Sequence, residues 1–341
     1  MHPGAGAPGT RLHPDPPFWT LFNLMPDLHA TPLPFDFVTP GASVAPVASV
    51  AFLEGPAADA DGTVYFSDIW NNRILKLDTR TGQTVVWRAD SGRSNGLLFD
   101  AQGRLLACEG NEFGPGGRRQ VTRTDLATGA IEVLTEQFEG ARYNSPNDIA
   151  ARANGQIFFT DPCYGDRSTM QMTDESVYRI DPDGTVMRVI TQPDIERPNG
   201  IALAPDEKTL YVVDSCPVPG GNRKIWAFEL SPDGTPNRQR LVFDFAPGRG
   251  GDGMAVDVRG NLYVAAGITR PRGPHETNDV PPGIYVLTPD GGLAGRIPVP
   301  EDVLTNVTFG GSELKTLYVT AGKTLFSIPA SIAGHVVHRP V

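Results

Sequence analysis

Short apolar runs recur along this chain of 341 residues and divide it into repeated units. Six runs rich in β-branched and aromatic residues predict strands, at residues 63–68, 104–109, 156–161, 209–214, 261–266 and 316–321. A further predicted strand follows each of them, at residues 73–78, 120–125, 176–181, 224–229, 283–288 and 324–329. Turn sequences such as Asp181-Pro182-Asp183-Gly184 close most of the units. The pattern therefore predicts a repetitive all-β protein.

Each unit has room for about four strands, and the units repeat every 40 to 55 residues or so, which is typical of propeller blades. We therefore predict an all-β, six-bladed β-propeller with a central channel. The innermost strand of each blade runs along that channel, so the residues that begin these strands ring one mouth of it. We call this place the lead position of a blade. A polar residue is predicted there in all six blades: Glu54, Asn95, Asn147, Asn199, Asp252 and Asn306.

Four of these residues suggest a metal site, namely Glu54, Asn147, Asn199 and Asp252. Two carboxylates and two amide oxygens, without imidazole or thiolate, suit a hard divalent cation such as Ca²⁺. A structural or peripheral role is predicted for Asn306. The alternative that the lead residues only form turns ahead of the strands stays open.

The composition agrees with one large, turn-rich β domain, because the chain has 38 Gly, 32 Pro and 40% hydrophobic residues. A formal net charge of -10 disfavours nucleic acid or an anionic membrane as partner. We expect a small-molecule substrate, and a monomer or homodimer. The first residues lack the basic and apolar regions of a secretory signal, so we expect a cytoplasmic protein unless a leader has been removed.

The N-terminal part divides into two segments. Residues 1–32 show no periodicity and are predicted to be an extension that is poorly ordered or draped on the surface. Residues 33–341 are predicted to form the propeller, with residues 35–50 supplying the outer strand of the last blade. The odd number of cysteines and their spacing favour buried or loop thiols over disulfides or zinc.

Several motifs occur in order in separate units, and together they resemble the SMP-30/gluconolactonase/LRE family of metal-dependent six-bladed propeller hydrolases. The resemblance covers roughly residues 50–329. Its motifs are Leu53-Glu54-Gly55-Pro56, Ser94-Asn95-Gly96-Leu97, Asn144-Ser145-Pro146-Asn147-Asp148, Phe159-Thr160-Asp161-Pro162-Cys163-Tyr164-Gly165, Arg197-Pro198-Asn199-Gly200, Asp252-Gly253-Met254 and Phe309-Gly310-Gly311. The resemblance implies that Glu54, Asn199 and Asp252 bind the metal, and that Asn147 binds either the metal or the substrate. It implies one divalent cation, with Ca²⁺ favoured and Mg²⁺, Mn²⁺ or Zn²⁺ as alternatives.

The chemistry that the resemblance implies is opening of a lactone ring, in which the cation polarises the carbonyl and a carboxylate accepts a proton. Asp252 is the candidate general base, and its alternative role is that of a ligand only. Candidate substrate-binding residues are Asn95, Glu109, Asn147 and Tyr164. Two alternatives stay open: a phosphotriesterase-type hydrolase that uses the same site, and a non-catalytic propeller that binds a partner.

Two features of the loops extend the prediction. Gluconolactonase-like members often carry His after a Cys-Glu pair, whereas Gly110 follows Cys108-Glu109 here, and Cys163 replaces a common Pro. Long loops at residues 110–119, 162–175, 216–223 and 267–282 join second to third strands and are predicted to form a lid.

Asp68, Asp161 and Asp214 end equivalent strands, and we predict that they form backbone hydrogen bonds between blades.

Overall fold

The computed structural model of the protein describes residues 37–49, 52–271 and 276–338. The predicted extension at residues 1–32 lies outside the described residues. The described part consists almost entirely of strands, with one short 3₁₀ turn at Arg167–Thr169. No helix in this part of the chain is long and apolar enough to cross a membrane.

The strands are numbered here in chain order. They are β1 (Ala45–Ser49), β2 (Leu53–Ala58), β3 (Thr63–Asp68), β4 (Arg73–Asp78), β5 (Gln83–Ala89), β6 (Ser94–Phe99), β7 (Leu105–Glu109), β8 (Gln120–Thr124), β9 (Ile131–Thr135), β10 (Gln137–Phe138), β11 (Ala141–Arg142), β12 (Ile149–Ala151), β13 (Ile157–Asp161), β14 (Ser176–Ile180), β15 (Val186–Ile190), β16 (Pro198–Leu203), β17 (Thr209–Ser215), β18 (Arg223–Leu230), β19 (Pro236–Asp244), β20 (Gly251–Val256), β21 (Leu262–Ala266), β22 (Gly283–Leu287), β23 (Leu293–Pro298), β24 (Leu304–Gly310), β25 (Thr316–Ala321) and β26 (Thr324–Pro329).

Six four-stranded antiparallel sheets follow one another along the chain, and this confirms the predicted six-bladed β-propeller. Strands β2, β6, β12, β16, β20 and β24 are the innermost strands of blades one to six. Each contacts the innermost strands of the two neighbouring blades, and β24 of blade six contacts β2 of blade one. The second and third strands of every blade lie within about one residue of the sequence prediction.

The ring closes through a strand from the other end of the chain. In blade six, β1 pairs antiparallel with β26, with Ala45 opposite Ser327 and Ser49 opposite Thr324. The sheet order is β1-β26-β25-β24, so β1 is its outermost strand. Blade six therefore contains both an early strand and the last three strands, which covers a sheet edge that would otherwise be exposed.

Apolar residues of the second strands hold neighbouring blades together. In β3, Val64 and Phe66 pack in a cluster with Tyr318 and Leu325 of blade six. Tyr65, between them, points to the opposite face and packs with residues of blade two. Both faces of this strand are thus buried between blades, which explains why its apolar run is nearly continuous.

Glycine follows the lead residue in blades one, two, four and five because the backbones of adjacent blades approach closely there. A Cβ on Gly55 would lie 2.2 Å from the Asn95 carbonyl oxygen, and the φ angle of Gly55 is +42°. A Cβ on Gly200 would likewise lie 2.2 Å from the Asp252 carbonyl oxygen. These glycines let each lead residue sit directly beside that of the next blade.

Candidate active site at the upper mouth of the channel

The lead residues of blades one to five line a single cavity of about 260 Å³, which we call the upper cavity. They are Glu54, Asn95, Asn147, Asn199 and Asp252, and all five are buried. Four of them lie in the innermost strand of their blade, and Asn147 lies two residues before β12. The fold thus brings together the four residues predicted to hold a metal, although they are widely separated in the sequence.

Blade six differs, and here the predicted register is wrong by one residue. Leu304 pairs with Ala321, as Ser94 pairs with Glu109 in blade two, so Thr305 and not Asn306 occupies the lead position. The Thr305 hydroxyl donates to the Leu53 carbonyl oxygen at 2.7 Å. Its oxygen is therefore engaged in joining blade six to blade one.

Asn306 instead stands where four other blades have glycine, and Asp148 does so in blade three. Blades three and six lie opposite each other in a ring of six. The Asn306 amide reaches across and donates to Asp148 Oδ2 at 3.4 Å. Both residues line a second, smaller cavity farther along the channel, which we call the lower cavity. The pair therefore links blades three and six by a hydrogen bond across the channel, below the upper cavity.

Carboxylates at the ends of second strands fix the backbone just ahead of the lead residues. In blade three, Asp161 accepts hydrogen bonds from the N–H groups of Asn144 (2.8 Å) and Ser145 (2.7 Å). In blade four, Asp214 accepts from the N–H of Arg197 at 2.8 Å. These bonds lie within a blade, so the prediction that they connect different blades is wrong. They hold the segments that lead into Asn147 and Asn199.

The two carboxylates among the lead residues, Glu54 and Asp252, affect each other's ionisation. Burial, and then the nearby charge of Asp252, raises the pKa of Glu54 well above its usual range. Burial also raises the pKa of Asp252 to about 6, although the Arg249 guanidinium and a hydrogen bond with Asn199 favour its charged form. Arg249 pairs with Asp252 Oδ2 at 2.8 Å. A cation bound between these two buried carboxylates would offset their mutual repulsion, so the cavity is suited to bind one.

The donor set fits a hard cation. Within the described part of the chain, no three His, Cys, Asp or Glu side chains form a metal-binding group. Among its lead residues, the upper cavity instead combines two carboxylates with three amide side chains, and its described lining contains neither histidine nor cysteine. Oxygen donors of this kind are what Ca²⁺ and Mg²⁺ take in proteins.

The lid loops contribute to the upper cavity. Glu112 and Phe113 come from the loop after β7, Tyr164 from that after β13, Pro217 from that after β17, and Glu276 from that after β21. The Tyr164 hydroxyl donates to the Ser215 carbonyl oxygen at 2.9 Å. Tyr164 thus lines the cavity with its hydroxyl already engaged.

Glu109 takes a different place from the one predicted. It is absent from the described lining of the upper cavity and is fully buried at the end of β7. Its carboxylate accepts from Arg88 at 2.6 Å, Gln120 at 2.8 Å and Thr122 at 3.0 Å. These contacts brace β7 against β8 in blade two and against Arg88 on β5 of blade one.

Glu112 and Arg249 line the upper cavity but were not identified from the sequence. Glu112 Oε1 is buried and has no hydrogen-bond partner among the described residues, and burial followed by the charge of Asp252 raises the Glu112 pKa to about 7. The only sequence signal is a charged residue inside the glycine-rich lid loop at residues 110–119. Arg249 stands three residues before Asp252, a spacing that could have drawn attention to it.

A six-bladed propeller with an acidic, oxygen-lined cavity at one mouth is the class of protein that this fold and site define. The chain belongs to the SMP-30/gluconolactonase/LRE-like family, whose model matches residues 52–323.

Comparison with individual proteins gives the same result. The chain is 30% identical over 307 residues to a gluconolactonase of Zymomonas mobilis, covering 84% of this chain and 80% of that protein. A solved gluconolactonase structure from Xanthomonas campestris is 32% identical with a TM-score of 0.71, covering 85% of this chain and 90% of the other. Regucalcin from Agrobacterium tumefaciens, described as calcium-binding, shares the fold at a TM-score of 0.69 and 20% identity, covering 88% and 98%.

Proposed function

We propose that this protein is a divalent-metal-dependent hydrolase that opens a lactone ring. The observation that carries the proposal is the convergence of Glu54, Asn147, Asn199 and Asp252 on one buried cavity. The similarity to gluconolactonases at 30% and 32% identity supports a lactone as the substrate class.

Glu54, Asn147, Asn199 and Asp252 are the residues that would hold the cation. We favour Ca²⁺, because all four side chains offer oxygen and the two carboxylates supply the charge. Mg²⁺ or Mn²⁺ would use the same donors, whereas Zn²⁺ more often takes nitrogen or sulfur ligands. When bound, the cation supplies Lewis-acid polarisation of the substrate carbonyl.

The protein's own residues orient the substrate and accept a proton. The Arg249 guanidinium and the hydrogen bond with Asn199 favour the charged form of Asp252, so its carboxylate oxygen can accept a proton from an attacking water. Its bonds to Arg249 and Asn199 fix the orientation of the carboxylate. Asn95 lies in the same cavity and can hydrogen-bond the substrate. The lid loops partly exclude water.

The first test measures hydrolysis of D-glucono-1,5-lactone above its spontaneous rate. Chelation should abolish turnover, and addition of Ca²⁺, Mg²⁺ or Mn²⁺ should restore it. Asn199→Ala should require far more metal, whereas Asn237→Ala, a control on the exposed strand β19, should behave as wild type. Full turnover by the enzyme after a chelator has removed the metal would contradict the metal requirement. Turnover of a phosphofluoridate but of no lactone would favour the phosphotriesterase alternative.

A further inference from the structure

Two aromatic side chains are exposed beside the upper cavity. Among the described residues, Trp70 is 58% and Phe113 is 39% exposed, and the other large exposed apolar side chains are aliphatic. Most of those aliphatic residues lie on the outermost strands β5, β9, β15 and β19. Trp70 and Phe113 instead lie in the loops after β3 and β7, on the side of the blades that carries the upper cavity.

The two exposed rings form one cluster with a third. Phe113 lies between Phe52 and Trp70, with ring centroids 4.9 Å from the first and 5.6 Å from the second. Phe52 and Phe113 both line the upper cavity, as do Glu54 and Glu112. We call Phe52, Trp70 and Phe113 the aromatic rim. It is a continuous apolar surface that begins inside the cavity and extends outwards.

Arg93 holds the parts of the rim together. Its Nη1 donates to the carbonyl oxygens of Ile69 and Trp70, both at 2.9 Å, and its Nε donates to the Pro115 carbonyl oxygen at 3.0 Å. Arg93 itself is buried. One guanidinium thus ties the turn that carries Trp70 to the loop that carries Phe113.

The backbone of Phe113 is also unusual. Its φ is +62°, in the left-handed region that bulky residues rarely adopt. Gly117 in the same loop could not carry a Cβ, which would lie 2.5 Å from the Gly110 carbonyl oxygen. A strained, tightly packed loop that holds an exposed ring at a cavity is a feature typical of a binding site.

We propose that the aromatic rim receives an apolar substituent of the substrate. The substrate class would then be lactones that carry an alkyl or aryl group on the ring, in preference to fully hydroxylated sugar lactones. This inference rests on the proposed lactone hydrolysis. Hydroxyl groups on every ring carbon would need hydrogen-bond partners, and the three rim side chains provide none except the indole N–H of Trp70.

The test compares lactones that differ only in their substituent. The wild-type enzyme with metal should hydrolyse γ-phenyl-γ-butyrolactone and γ-nonalactone with a kcat/KM at least about tenfold above that of γ-butyrolactone. Phe113→Ala and Trp70→Ala should lower kcat/KM for the substituted lactones by about tenfold more than they lower that for γ-butyrolactone. Leu241→Ala, which removes an equally exposed apolar side chain on β19, should change neither.

A binding measurement separates recognition from turnover. The γ-lactam that carries the phenyl group resists hydrolysis, and calorimetry should show that it binds more weakly to Phe113→Ala than to wild type. Thermal melting of both proteins checks that the variant is folded.

Four outcomes would overturn the inference. Equal losses on substituted and unsubstituted lactones would mean that the rim only supports the loop. A preference for D-glucono-1,5-lactone that the variants leave unchanged would exclude the substrate class. If folded, metal-loaded wild type hydrolysed no lactone, both the proposed function and the inference would fail. If it hydrolysed lactones but did not prefer the substituted ones, only the inference would fail.

Discussion

The upper and lower cavities are built by the same innermost strands but differ in chemistry. Side chains alternate along a strand, so the residue two positions after each lead residue shares its direction towards the channel axis. Asn95, Asn199 and Asp252 line the upper cavity, whereas Leu97 and Ile201 line the lower one. One strand thus contributes oxygen donors to one end of the channel and apolar contacts to the other.

The two ends also differ in what covers them. Loops from several blades line the upper cavity. Under the lower cavity runs the C-terminal segment, where the His335 N–H donates to the Val256 carbonyl oxygen at 2.8 Å. Val336 and Val337 line the lower cavity of about 100 Å³, and His338 reaches Phe99 in blade two. We therefore assign chemistry to the polar end and stability to the end that the C-terminal segment covers.

The largest expected effect comes from the polar end. Asp252→Asn keeps an oxygen and a similar volume but removes the charge and the proton acceptor, so kcat should fall by about a hundredfold or more. The rate must be measured at saturating metal with metal content determined separately. Wild-type turnover by the fully loaded variant would mean that Asp252 is not the base.

The next prediction concerns the covered end. A Cβ on Gly334 would lie 2.0 Å from Phe309 Cγ, so Gly334→Ala should destabilise the protein by about 1 to 3 kcal/mol. Its kcat should equal that of wild type at a temperature where the variant is folded. Gly165→Ala is the control for stability, because its nearest neighbours would be 3.8 Å away. A variant that melts like wild type but has lost turnover would reverse the assignment of the two ends.

A smaller effect should appear in the pH dependence of thermal stability. Folding raises the pKa of Asp252 from 3.8 to about 6 and that of Glu112 from 4.5 to about 7, so the folded chain holds these protons more tightly. The metal-free protein should therefore lose stability as pH rises from about 4 to about 7. Bound Ca²⁺ should offset that loss. Melting curves should show a Ca²⁺-induced shift that grows by a few degrees between pH 5 and pH 7.5. A shift that shrinks over that range would be inconsistent with carboxylate ligands.

The sequence predicts the regular parts of both ends well. The second strands are apolar on both faces because they pack between blades, and this gives a strong pattern with little ambiguity. The lead residues of blades one to five could be identified because a polar residue and, in most cases, glycine precede an apolar strand. The glycine reflects the close approach of backbones, which each blade repeats independently.

The exceptions depend on pairing and loop structure that the sequence does not encode locally. Thr305 and Asn306 are both polar, so only the pairing of Leu304 with Ala321 reveals which one leads blade six. Glu112 enters the upper cavity because the loop at residues 110–119 folds against Arg93. Glu109 lies outside the upper cavity because its carboxylate pairs with Arg88 on β5 of the neighbouring blade. Each of these contacts is long-range.

Calorimetric titration of the metal-free protein with Ca²⁺ tests most directly whether the lead residues of blades one, three, four and five form one cation site. We predict one ion per chain for wild type and for the exposed control Asp290→Asn. Asp252→Ala and Asn199→Ala should each weaken Ca²⁺ binding by at least about tenfold. Wild-type Ca²⁺ affinity in the double variant, or no binding of any divalent cation by wild type, would contradict the account.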